Sequence, residues 1–292
     1  MSRLVYYLAL MLICLGQASE SLGHANLEVT GMGYFKSRNL SARMAFLSGV
    51  VEGEELDVAV LEDCAFLILE QLKREGYLRP SLEGEFTKGD VVTTALWEEQ
   101  YSVQLAPSFT TEHAVFTLLP GVGYYYESVD VQGVDAIAEE RLNRYFIAQG
   151  ALYHRESSRV FTDANFDRRI GRVLRALEDL GYRSARQVSS ETVLDDATGA
   201  VQAEVVIEQG PLHRVGHAQA LLLNEAGEVE KTRELEQAGV LYTQDWESEQ
   251  SRLLRNEVFA SGYPDARVTV EVDEGVENAE GELEHTIRYH VV

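Results

Sequence analysis

Histidines 213 and 217 stand four apart in "PLHRVGH". On a helix that spacing would put two imidazoles on one face, ready for a transition metal. Pro211 precedes them and an alternating run follows, so a strand start is expected and the two would not share a helical face. The remaining histidines, at 24, 113, 154, 285 and 290, are scattered. Cys64 falls on the apolar side of a helical pattern, which suits a buried structural thiol better than a nucleophile. The acidic stretch from Asp273 to Glu284 lacks the alternating ligand spacing of a calcium loop and reads as a solvated hairpin tip. "GVGYYY" at 121–126 precedes a strand instead of opening a helix, so it makes no phosphate cradle, and its tyrosines suit alternating burial at a domain junction. The sequon Asn39-Leu40-Ser41 reads as chance. No nucleophile, base and oxyanion donor assemble; catalytic residues, cofactors and metals are all expected to be absent.

The elements that must carry these residues are marked by three helix stops, "LKREGY" at 72–77, "LEDLGY" at 177–182 and "VFASGY" at 258–263. A helix that runs out of carbonyl partners often ends on a glycine in the left-handed conformation, which residues bearing Cβ adopt at a cost. The residue after that glycine then meets one five positions earlier. Gly76, Gly181 and Gly262 with Tyr77/Leu72, Tyr182/Leu177 and Tyr263/Val258 fit this motif. Upstream, Phe166, Ile170, Val173, Leu174 and Leu177 share one face, as do Val60, Leu61, Cys64, Leu67, Ile68 and Leu72. Trp246, Leu253, Leu254 and Val258 form the third stripe, and Thr162 and Thr243 are the expected N-caps. A second stop is expected further upstream in each copy, at Gly49, Gly150 and Gly239.

The 292 residues carry a net charge of −23 and 45% hydrophobic residues. That charge argues against a nucleic-acid backbone as partner, since phosphate contacts need clustered Lys and Arg. Residues 1–18, "MSRLVYYLALMLICLGQA", read as an export signal: Arg3, an apolar run too short for a confident membrane span, and a small-x-small cleavage site. Only Cys64 would remain after cleavage, so the domains must hold by core packing without an internal disulfide.

Each glycine–tyrosine stop is followed by two alternating runs, such as "YRSARQVSSETVL" and "VQAEVVIEQ" around the turn-forming "DDATG". Short strands, "NLEVTGMG", "YYESVDVQGV" and "HRVGHAQALLL", precede the helices. The fold expected is α+β: three tandem units at 26–121, 122–211 and 212–292, each strand–helix–helix–strand–strand, two helices packed on a small mixed sheet. The first copy is less regular and has room for an extra strand.

This order, the "GY" entry into the second strand, and the junctions "LLPGVGYYYESVDVQG" and "VVIEQGPLHRVGH" resemble the polypeptide-transport-associated (POTRA) repeats of bacterial outer-membrane assembly factors. The resemblance spans residues 26–292. It implies a periplasmic scaffold that binds unfolded outer-membrane clients, assembly-machinery subunits, or both. Membrane contact is implied only indirectly, or through a β-barrel encoded outside these residues. It also implies that the strand after each "GY" lies at a sheet edge, where a client could add a strand. The candidate edges are 182–194 (Arg186, Val188, Ser190, Thr192) and 263–272 (Arg267, Thr269), with 77–86 third. Pro80 and Pro264 each remove a donor, which favours the second unit's edge; prolines at Val188 or Val193 are the natural probes. Two other functions fit the sequence: a docking arm for a few defined subunits, and a secreted enzyme of unrecognised type resting only on scattered acids.

Overall fold

In the computed structural model, residues 27–47, 54–98, 105–147, 159–224 and 226–292 are described. The export signal and the stops at Gly49 and Gly150 lie outside them. The chain divides into two units, Met1–Tyr124 with Asp196–Gly199, and Tyr125–Asp195 with Ala200–Val292.

The first unit holds β1 (Leu27–Thr30), α1 (Tyr34–Leu47), β2 (Leu56–Asp57), α2 (Val58–Arg74), β3 (Ser81–Lys88), β4 (Val91–Trp97), β5 (Thr110–Thr111) and β6 (His113–Leu119). Asp57 caps α2 by accepting from the Val60 N–H at 2.9 Å. The apolar stripe of α2, with Leu61, Cys64, Ile68 and Leu72 fully buried, packs on Leu82, Phe86 and Phe116 of the sheet. Strand order is β1-β6-β3-β4, with β1 parallel to β6. The extra strand is β4, joined to β3 by a two-residue turn at Gly89-Asp90. It takes the border position, so the 77–86 candidate is corrected: β3 is paired on both sides and offers no edge.

The second unit contains two sheets. β7 (Tyr125–Gln132), α3 (Glu139–Phe146), α4 (Asp163–Asp179), β8 (Arg186–Leu194) and β9 (Ala200–Glu208) build one, ordered β7-β9-β8. Thr162 caps α4, and Phe166, Ile170, Val173 and Leu177 line its buried face. Phe146, Phe161 and Phe166 surround the Tyr126 ring. β10 (His213–Leu223), β11 (Val229–Glu234), α5 (Gln244–Ala260), β12 (Val268–Val272), β13 (Val276–Glu277) and β14 (Leu283–Val291) build the other, ordered β11-β10-β14-β12. In the main sheet of each copy the opening strand runs parallel to the copy's last strand.

The α+β class and the tandem small sheets stand, but the third copy departs from the two-helix plan. Where a helix ending at Gly239 is expected, the chain folds back as β11. Asn224 Oδ1 accepts from the N–H groups of Ala226 and Glu228, and Gly227 takes φ +80°. That local turn outweighs the helix-forming composition of "EVEKTRELEQ", which has no apolar stripe to bury. With one helix instead of two, the core shrinks to Val215, Ala218, Ala220, Tyr242, Leu254, Ile287 and Tyr289. Leu253, expected on the buried stripe of α5, is 48% exposed.

Candidate polypeptide-binding edge

Three helices end in the same geometry. Gly76, Gly181 and Gly262 take φ +97°, +94° and +99°. The N–H groups of Tyr77, Tyr182 and Tyr263 reach back to the carbonyls of Leu72, Leu177 and Val258 at 3.1, 2.9 and 3.2 Å. Each cap swings the chain out of its helix and aims it at the sheet, which fixes where the following strand begins.

After Gly181 that strand is β8, at the border of its sheet. Among the described residues no strand pairs with its outer side. Its residues are exposed on both faces except at Leu194, which is half-buried. Val188 and Val193 are 60% and 66% exposed. Thr192 and Ser190 stand opposite the buried Ala203 and Val205 of β9, on the same side of the sheet, yet are themselves exposed. Val188 is the extra residue of a bulge between Gln187 and Ser189.

Backbone phase decides what this border offers. The Asp195 N–H donates to the Ala200 carbonyl at 2.9 Å. In an antiparallel ladder the residues bonded to the neighbour alternate, so Val193, Glu191 and Ser189 spend their groups on β9. Ser190, Thr192 and Leu194 turn N–H and C=O outward. The candidates Ser190 and Thr192 are therefore in phase. A proline at Val193 would instead break a bond inside the sheet, and one at Val188 would fall in the bulge.

β12 is also a border strand, and here the sequence choice is corrected. Arg267 and Val292 exchange two backbone hydrogen bonds, at 2.9 and 3.0 Å, and the Asp273 N–H donates to Thr286. The same alternation makes Thr269 bond to β14 and leaves Val268 and Val270 facing outward. Arg267 and Thr269 have no backbone group to offer a client. A one-residue difference in phase cannot be read from an alternating run without the register of its partner strand.

The histidines sit elsewhere. His217 pairs with Glu234 at 3.1 Å on the surface, whereas His213 is buried against His285. His285 Nδ1 lies 3.1 Å from the Asp273 carbonyl, His285 Nε2 lies 2.8 Å from His213 Nδ1, and His213 Nε2 lies 3.1 Å from Ser184 Oγ. A carbonyl can only accept, so with both rings neutral every proton is fixed: His285 Nδ1–H to Asp273, His213 Nδ1–H to His285, and the Ser184 hydroxyl to His213. Burial, then His285 and Arg183, push the His213 pKa down to about 4. The network ties Ser184, in the turn after α4, to His213 of β10. It was not legible from the sequence, because its members are brought together by the pairing of β10 with β14. Burial and a hydrogen bond to Glu247 raise the Tyr242 pKa, and Arg183 lies 4.0 Å over the Tyr242 ring.

The other chemistry-bearing residues are occupied structurally. Arg214 holds Glu282 of the acidic stretch, at 2.5 Å from Nε and 3.1 Å from Nη2, and Asp273 accepts from the Thr286 N–H at 2.8 Å. Among the described residues no three His, Cys, Asp or Glu side chains are placed to hold a metal. No helix among them is long and apolar enough to cross a membrane.

No family model matches the sequence, and no curated protein matches it. Solved structures do. Repeats 3–5 of the POTRA array of BamA from Haemophilus influenzae share 17% identity over 91% of this chain and 95% of theirs, with a TM-score of 0.35. The N-terminal domain of Omp85 from the cyanobacterium Thermosynechococcus elongatus shares 16% over 92% of this chain and 96% of its own, at 0.33. POTRA repeats 1–3 of Omp85 from Anabaena share 13% over 92% and 94%, at 0.31. Two of these three solved structures are POTRA arrays, one of BamA and one of Omp85.

Proposed function

We propose that the chain is a periplasmic polypeptide-binding scaffold in outer-membrane protein assembly, and that it takes up an extended segment along the outer side of β8. The observation that carries this reading is the border itself. Ser190, Thr192 and Leu194 present unpaired N–H and C=O groups at two-residue spacing, on a nine-residue strand exposed on both faces. A client strand laid there would recover backbone hydrogen bonds whatever its sequence, each worth about 1 kcal/mol net. The small hydroxyl side chains at 190 and 192 leave its backbone room to approach. A sequence-indifferent receptor suits a machine with many clients. The periplasm and the class of client come from the likeness in module order to POTRA repeats, while the site comes from this chain's own geometry.

The test is capture of unfolded outer-membrane polypeptides by the chain carrying Ser190→Pro and Thr192→Pro together. Both positions point their N–H groups away from β9, so the sheet keeps its own bonds. Capture should fall about tenfold or more, two lost hydrogen bonds being worth about 2 kcal/mol. Unchanged capture by a folded double variant would refute β8 as the binding surface. Stable retention of one or two defined proteins, with no client bound, would favour a docking arm.

A further inference from the structure

The border strands differ in what they set against a second chain. β8 carries Arg186, Glu191 and a bulge, and β11 reads "VEKTRE". β12 follows Pro264 and contains Glu271, and β1 has four residues and carries Glu28. Charge, proline, bulges and shortness are the usual means by which an exposed strand avoids pairing. β4, "VVTTALW", has none of them: it is uncharged, and its register against β3 is unbroken over seven residues. Val91, Val92 and Leu96 are 65%, 56% and 50% exposed. Among the described residues no strand pairs with its outer side.

The backbone phase of β4 follows from β3. The Thr87 carbonyl accepts from the Glu112 N–H at 3.0 Å, so Thr87, Glu85 and Glu83 bond toward β6. Lys88, Phe86, Gly84 and Leu82 then bond toward β4, to Val91, Thr93, Ala95 and Trp97. Val92, Thr94 and Leu96 are left with N–H and C=O groups directed away from the sheet. Glu85 stands beside Thr94 and Glu83 beside Leu96, on the face that carries Val92. Asp90 and Glu98 flank the strand. Among the described residues no ion pair engages these four carboxylates, and Lys88 is held by Glu55 at 2.7 Å.

We infer that β4 is a charge-selective docking border for one class of protein segment: extended, apolar or hydroxyl-bearing at its centre, with lysine or arginine at both ends. Backbone bonds to Val92, Thr94 and Leu96 supply attachment. The carboxylates at both ends and on the adjoining strand supply selection, because an acidic flank would meet like charge and a basic one its complement. The same rule rejects a second copy of this chain. In-phase antiparallel pairing of β4 with itself centres on Thr94 and sets Asp90 against the Glu98 of the other copy. The inference concerns the first unit alone and holds whether or not β8 takes up a client.

The probes are two synthetic peptides that share the centre Val-Thr-Val-Thr-Val, one with a pair of lysines at each end and the other with a pair of glutamates. With the lysine-flanked peptide, amide exchange in the full chain should slow at Val92, Thr94 and Leu96. Thr93 and Ala95, whose amides already bond to β3, should change little. The lysine-flanked peptide should bind about tenfold or more tighter than the glutamate-flanked one in about 0.01 M salt. Glu83→Gln combined with Glu85→Gln should narrow that gap, as should about 1 M salt. No binding of the lysine-flanked peptide, equal affinity for the two, or binding that leaves those three amides unprotected overturns the inference. Protection of β4 that grows with protein concentration in the absence of peptide would also overturn it, because a second copy would then be the occupant.

Discussion

β8 and β12 occupy the same place in successive copies, each reached through a glycine–tyrosine helix stop and each at a sheet border, yet they offer different surfaces. β8 has nine residues, and its outward groups belong to serine, threonine and leucine. β12 has five, begins four residues after Pro264, and turns the backbone of Val268 and Val270 outward. The helix stops before them differ in the opposite sense: Gly181 is covered by β10 and its flanks, while Gly262 is bare. One copy thus has its cap buried and its edge long, and the other has its cap open and its edge short. Repetition of a fold unit conserves the backbone plan and leaves each copy's exposed groups free to diverge.

The comparison is broken most strongly by proline. Thr269→Pro removes a bond to β14 and should destabilise the second unit by about 3 kcal/mol, whereas Thr192→Pro should cost about 1 kcal/mol or less. Denaturant unfolding of the two variants checks this, and equal losses would mean that the backbone phases are misassigned. Acid probes the network that only Gly181's side possesses. His213 titrates near 6.5 unfolded but at about 4 folded, so the folded state resists a proton that the unfolded state accepts. That contribution is complete above pH 6.5, is lost as pH falls from 6.5 to 4, and is constant below, in all about 3 kcal/mol. Unfolding midpoints at pH 7.5 and 4.5 should show the fall, and His213→Leu should flatten it. The smallest effect is at the glycines. Both substitutions to alanine pay for a left-handed Cβ, but Gly181→Ala also crowds Leu212 and Leu241 and should cost about 1 kcal/mol more than Gly262→Ala.

How much of this was legible follows from the range of each interaction. The caps are local, a glycine and its apolar partner within six residues, so all three helix ends could be read from the chain. The stripe of α4 is local too, and Phe166, Ile170, Val173 and Leu177 are buried as their spacing requires. The third copy's missing helix was hidden because "EVEKTRELEQ" is rich in helix formers, and the Asn224–Gly227 turn that diverts it is short. β4 and the internal place of β3 depend on pairing between distant segments. So does the phase of β12, where Arg267 and Thr269 looked as suitable as Ser190 and Thr192. The candidate site was legible as a strand and illegible as a set of donors and acceptors, because alternation names the face of a side chain but not the side to which its N–H points.

Amide hydrogen exchange along β8, with and without an unfolded outer-membrane polypeptide, addresses the binding edge directly. The expected result is strong slowing at Ser190, Thr192 and Leu194 when the polypeptide is present, with little change at Glu191 and Val193, whose N–H groups are already bonded to β9. Binding that leaves those three amides exchanging at their free rate, while protecting residues elsewhere, would contradict the account.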